Sequence, residues 1–402
     1  MLSPTAQLLG INTQKNSQSL VELDVLRGMA VVFMVYNHTT YELLVSQLNQ
    51  EGIFGFLTFL TGFAPVLFFF ATGVGYGLQN NKSLSPKFWL NTFYKVALLI
   101  IADQFLYWRT ARGLLGIDFL GFIGISILVM AIIRASKAPI KLAILIIISS
   151  FILRFFLGNT LLAVLGSENL VTWISGAKNN TLFPASYPLS PWIIYPCCGY
   201  LLGALINQKR AIMAPNYTHR SKVIFGLLIA VCFFVLTSSI LLIKQVTIFR
   251  WGTVSFGFYW LSLGLLSIVV LALYCGIKWL QKSPSSKYLQ IRGMVSLATV
   301  PAHYLIIFAA TLIFPQKLDG LPFLGLFSLI YWLTLVIAHR LEALAKYINN
   351  LGLTPVNLLW GGTGLVMINV FLCPTFSSLV WVTQLTSFFA QSIICILFTL
   401  RW

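Results

Sequence analysis

The stretch VELDVLRGMAVVFMVYNHTTYELL, residues 21–44, decides how the chain is read. Its middle is a run of Met, Ala, Val and Phe that suits lipid. Yet it also carries Glu22, Asp24, Arg27, Asn37, His38 and Glu42. A charge at the bilayer centre costs about 2.5–3.5 kcal/mol on insertion scales, so such groups face a bundle interior or a water-filled cavity. On a helix with about 100° and 1.5 Å per residue, Arg27 and His38 lie only about 20° apart in direction and about 16 Å apart along the axis. Glu42 continues that stripe one turn beyond His38, and Asp24 neighbours Arg27 one turn before it. Asn37 is swung about 80° the other way. Val31 and Met34 fill the stripe between the two polar stations. The segment therefore reads as a first helix whose polar stripe borders a wet seam running from Arg27 to His38.

Composition sets the solvent. Of 402 residues, 58% are hydrophobic and 9% charged, against about 25% charged in soluble domains. That excludes a soluble fold and predicts an all-α, polytopic membrane helix bundle. The net charge of +17 would suggest nucleic acid in a soluble protein. Here it reads as basic loops beside anionic membrane lipid, with no nucleic-acid partner. Residues 1–20 form a polar tail without the continuous apolar core of a cleavable signal peptide. The six cysteines all lie in apolar segments, and read as buried thiols packed as small hydrophobes.

About 20 apolar residues are needed to cross a bilayer. Twelve candidates meet or approach this: about 24–46, 55–79, 90–108, 115–134, 139–158, 191–207, 223–243, 256–280, 295–314, 323–342, 357–373 and 376–399. The last two can also be read as one broken element, so eleven to twelve spans are expected. With the N-terminus inside, seventeen Lys and Arg fall on the cytoplasmic side, against Arg109, Arg112, Lys178, Lys244, Arg250 and Lys317 outside. The positive-inside rule then places both termini in the cytoplasm. The expected division is a tail over 1–20, a main bundle over 21–345 and additional helices over 346–402. The connection 159–190 is long and polar enough to cover an outer vestibule.

The polar stations suggest chemistry. Arg27, near the inner end, can meet an anion bidentately, with Asp24 beside it. His38, much deeper, can act as acid or base near neutral pH. Glu42 is placed to hold its imidazole, and Asn37 to donate to a developing oxyanion. The plain alternative makes Asp24–Arg27 an interfacial ion pair and His38 an interhelical hydrogen bonder. Asp103, Arg109 and Arg112, with Asp118 following, are expected to gather near the outer face. An acceptor could dock on them there, or they could form an ion-pair network. His303 lies inside the ninth span. Gly73 and Gly77 form a GxxxG pair that reads as close helix packing. No metal-ligand spacing occurs. Proton-coupled transport through His38, Asp103 and His303 is the competing function, though no two-half internal similarity supports it.

ELDVLRGMAVVFMVYNH (22–38) resembles the opening of the membrane-bound acyltransferase 3 family and its relatives of the heparan-α-glucosaminide N-acetyltransferase type. The likeness continues in LTGFAPVLFFFATGVGYGL (60–78), GLLGIDFLGFIGISILVM (113–130), YPLSPWIIYPCCGYLLGALI (187–206) and RGMVSLATVPAHYLII (292–307). The eukaryotic N-acetyltransferases carry Asn where His38 stands and a His about eleven residues later, where this chain has Asn49. The resemblance implies an acyltransferase of the bacterial plasma (inner) membrane, with no permanently bound cofactor. Its donor would be cytoplasmic acetyl-CoA or another acyl-CoA, with Arg27 near the phosphates and His38 near the thioester. Its acceptor would be a glycan or a small lipid-linked molecule, with a homodimer as a possible assembly. It also makes His303 a second polar wall of the site.

Overall fold

The computed structural model describes residues 21–79, 85–110, 117–165, 174, 186–212, 217–243, 255–276, 289–351, 355–375 and 379–399. These residues are helical almost throughout. In chain order the helices are α1 (Val21–Leu43), α2 (Gly52–Thr61), α3 (Ala64–Gly77), α4 (Pro86–Thr110), α5 (Phe119–Ala135), α6 (Pro139–Ile152), α7 (Gly158–Leu165) and α8 (Leu189–Trp192). They continue with α9 (Ile194–Ile212), α10 (Tyr217–Ile243), α11 (Phe256–Cys275), α12 (Gly293–Ile313), α13 (Gly320–Asn350), α14 (Pro355–Thr375) and α15 (Val380–Phe398).

Among the described residues, seven helical segments are long and apolar enough to cross a membrane. They are Gly52–Gly77, Pro139–Leu161, Leu189–Asn207, Phe256–Cys275, Gly293–Ile313, Gly320–Asn350 and Val380–Phe398. The other five expected spans coincide with α1, α4, α5, α10 and α14. The chain is an all-α polytopic membrane protein. The second expected span breaks at Gly62–Phe63, where Pro65 opens α3 at a position whose N–H needs no helical partner. The last two expected spans are separate helices packed on each other. Most of the 159–190 connection and all of the 1–20 tail lie outside the described residues.

Helices in lipid gain nothing from hiding apolar surface from water, so close backbone contact carries much of their association. The tightest pair is α3 with α9. A Cβ on Gly73 would stand 1.9 Å from the Pro196 carbonyl oxygen, and one on Gly203 would stand 2.4 Å from that of Val74. Gly77 and Gly199 are equally closed in. The GxxxG pair is thus a packing seam, now seen to have glycines on both helices. α1 packs on α3 and α12, and its C-terminal end is pinned by an isolated bridge between Leu44 and Leu318. α15 packs on α4 and α12, and the Gln391 amide donates to the Ala102 carbonyl at 3.1 Å. This last helix packs into the bundle that holds His38. Outward faces carry Trp332, Trp360, Phe371 and Phe389 in exposed positions, as a lipid-facing surface requires.

Candidate functional site

α1 brings Asn37, His38 and Glu42 to the wall of a cavity of about 430 Å³. α12 supplies the facing wall with His303 and Tyr304. The two imidazoles meet directly, with His38 Nδ1 at 2.8 Å from His303 Nε2. His303 is fully buried, and its Nδ1 lies 2.8 Å from the Thr299 carbonyl oxygen on its own helix. A carbonyl only accepts, so the Nδ1 proton belongs to His303 and its Nε2 is an acceptor. In the neutral pair, His38 Nδ1–H therefore donates to His303, and the His38 lone pair sits on Nε2. Rings lock this orientation. Tyr304 stacks on His38 with centroids 5.1 Å apart and lies 4.2 Å from the His303 ring.

The structure brings together four of the residues expected to share a site, Asn37, His38, Glu42 and His303, with Glu42 exposed on the same cavity. The sequence expects Glu42 to hold the His38 imidazole, whereas the Nδ1 of that ring meets His303. Asn37 is buried and lines the cavity, and its amide donates to the Thr58 carbonyl at 3.2 Å, tying α1 to α2. Asp118, read in the sequence as part of an outer acceptor group, lines this space, as do Tyr304, Tyr187 and Gln384, which sequence spacing did not assign to it. Adjacency to His303 was the available signal for Tyr304; Gln384 had none.

Arg27 belongs to a second cavity of about 330 Å³. Its Nη1 donates to Asp24 Oδ1 at 2.9 Å, and the Arg27 side chain keeps about a fifth of its surface exposed. Gly293, the first residue of α12, and Lys95 of α4 line the same space. A helix N-terminus presents unpaired N–H groups and a positive dipole end, so this cavity is suited to an anion.

The two cavities correct the expectation of one continuous seam. Phe68, Phe119 and Val300 line both of them. Val31 is fully buried and lines neither. Stripe geometry placed Arg27 and His38 on one side of α1, and the two residues line different cavities that share wall residues from α3, α5 and α12.

Asp103 is a second correction. It is fully buried, with Oδ2 accepting from the Asp118 N–H at 2.5 Å and Oδ1 from the Leu120 N–H at 3.1 Å. It caps the first turn of α5 from the neighbouring helix, so its carboxylate is committed to backbone and does not meet an acceptor. The Arg109 side chain and all of Arg112 lie outside the described residues.

Among the described residues, no cluster of His, Cys, Asp and Glu has metal-holding geometry. A family model described as heparan-alpha-glucosaminide N-acetyltransferase, catalytic, matches residues 20–231, just over half the chain. No curated protein and no solved structure matches. The matched region contains Arg27, Asn37, His38 and Glu42, whereas His303, Tyr304 and Gln384 come from beyond it. The acyltransferase 3 kinship named above stays a resemblance, and the transport alternative finds no support in the comparison. The chain belongs to the heparan-α-glucosaminide N-acetyltransferase catalytic family and is an integral membrane protein of acetyltransferase type.

Proposed function

We propose that the protein moves an acetyl group from cytoplasmic acetyl-CoA to a hydroxyl or amine of a glycan or small lipid-linked acceptor on the other side of the membrane. The observation that carries this reading is the His38–His303–Thr299 relay on the wall of the larger cavity. The donor enters from the Arg27 end, which the basic loops assign to the cytoplasm. Its phosphates meet Arg27, Lys95 and the N-terminus of α12. The pantetheine arm carries the thioester toward His38, a distance of about 16 Å along α1.

At the reacting end, His38 Nε2 takes the proton from the acceptor as its oxygen or nitrogen attacks the thioester carbonyl carbon. The charge gained on the imidazole is shared through Nδ1–H with His303 Nε2, whose other nitrogen stays bound to Thr299. Collapse breaks the carbon–sulfur bond, and the departing thiolate takes the proton back from His38. The acceptor pocket combines carboxylates and amides with aromatic faces at Phe68, Phe119 and Tyr304, a mixture suited to a sugar. Glu42 and Asp118 favour an acceptor bearing a positive charge, such as an amine before deprotonation. On this reading the working bundle runs from α1 to α15, with a bacterial plasma membrane as its setting.

The decisive experiment gives labelled acetyl-CoA and a panel of amino sugars and neutral glycans to purified protein. Acetylated product is expected from the wild type and none from His38→Ala. Full transfer by a folded His38→Ala protein rules out His38 as the base.

A further inference from the structure

We propose that Phe68, Phe119 and Val300 form an apolar septum that decides whether the acetyl group reaches an acceptor or is lost to water. The inference rests on the acyl-transfer reading above and adds what makes that transfer selective.

The three residues come from α3, α5 and α12, and each lines both cavities, so a partition built from them is one side chain deep. Phe68 and Phe119 meet edge to face with centroids 5.2 Å apart, and Phe68 and Val300 are buried. Both spaces have polar walls: Asn37, His38 and Asp118 on one side, Arg27, Asn91 and Lys95 on the other. A polar cavity of about 430 Å³ has room for several waters, at about 30 Å³ of liquid volume each. Such water would stand beside the same base that serves the acceptor.

His38 Nε2 can accept a proton from water as it can from a sugar. In that side reaction the water oxygen bonds to the thioester carbon, the carbon–sulfur bond breaks, and the thiolate recovers the proton from His38. The products are acetate and free CoA. A thioester held behind an apolar partition escapes this until the arm is pushed through. The partition also separates spaces lined by opposite ends of the helices. Gln79, Gly293 and Phe398 line one, whereas Glu42, Thr311 and Gln384 line the other. It therefore stands as a barrier to protons crossing the bundle.

Its position is set from behind. Asp103 binds the N–H groups of Asp118 and Leu120, on either side of Phe119, and so fixes the first turn of α5. A Cβ on Gly121 would come 2.5 Å from Asp103 Oδ2, which leaves that turn no room to shift. Val300 follows Thr299, whose carbonyl orients His303, so the partition and the relay share one turn of α12. Asp103 is thus a positioning residue acting through Phe119.

The test uses full-length protein in liposomes, with free acetate, acetylated acceptor and passive proton entry measured on the same preparations. Phe119→Ala and Val300→Ala are expected to raise acetate relative to acetylated product severalfold and to increase proton entry. Phe119→Leu is expected to restore the barrier to proton entry, Val300→Ile to leave both readouts near wild type, and Asp103→Asn to raise the acetate fraction with unchanged KM for acetyl-CoA. Should Phe119→Ala fail to fold, Val300→Ala carries the test alone. An unchanged product ratio together with unchanged proton entry in the folded variants overturns the septum. A wild type that forms no acetylated product overturns the acyl-transfer reading instead, and proton entry then decides the septum by itself.

Discussion

His303 Nε2 lies 2.8 Å from His38 Nδ1 across a sequence separation of 265, and this contact selects which nitrogen of His38 is basic. Replacing His303 by Ala removes the acceptor that holds the tautomer. The expected loss in kcat is about two orders of magnitude, within the usual range for a disturbed general base. KM for acetyl-CoA should stay near the wild-type value, because the donor cavity lacks His303. Steady-state kinetics with labelled donor check this, and a raised KM with kcat unchanged would move His303 out of the relay.

Arg27 separates donor binding from chemistry. In Arg27→Lys the Asp24 carboxylate keeps a cationic partner, while the planar fork that grips a phosphate is lost. KM for acetyl-CoA should rise by about 10- to 150-fold, as expected for losing a hydrogen bond to a charged group worth about 1.5–3 kcal/mol. An unchanged KM, measured by titrating the donor at saturating acceptor, would place the phosphates elsewhere.

The α3–α9 seam predicts a stability defect with no catalytic signature of its own. An alanine methyl at Gly199 would stand 2.1 Å from the Phe70 carbonyl oxygen, and a valine there would be worse. Gly199→Val should force the helices apart and lower both yield and thermal midpoint in detergent. A valine variant as stable as the parent would contradict the packing described for this seam.

α15 lies outside the family-matched region, yet it lends Gln384 to one cavity and Phe398 to the other. Ending the chain after 375 should therefore abolish transfer even where the remaining bundle inserts. Gln391→Leu, which only removes the tie to Ala102 and leaves that carbonyl its helical N–H partner, should lower stability by about 0.5–1.5 kcal/mol, the net worth of one hydrogen bond. Retained transfer in the shortened protein would make the last helix dispensable to the site.

Whatever depends on local periodicity was legible before any coordinates. Helical rise and twist alone put Arg27 and His38 on one stripe of α1, and apolar runs alone located the helices. The GxxxG spacing likewise announced a close approach, because a missing side chain acts wherever a backbone arrives. What periodicity could not supply is which helix arrives. The partner of His38 comes from α12, the ring against it from Tyr304, and the partition between the cavities from α3, α5 and α12 together. Asp103 shows the limit most clearly. An acid near a helix end reads the same in sequence whether it greets a ligand or caps another helix, and only the arrival of α5 at its carboxylate chooses. Helix formation is decided by each residue's near neighbours, whereas the site is decided by contacts across hundreds of positions, and those exist only once the bundle has closed.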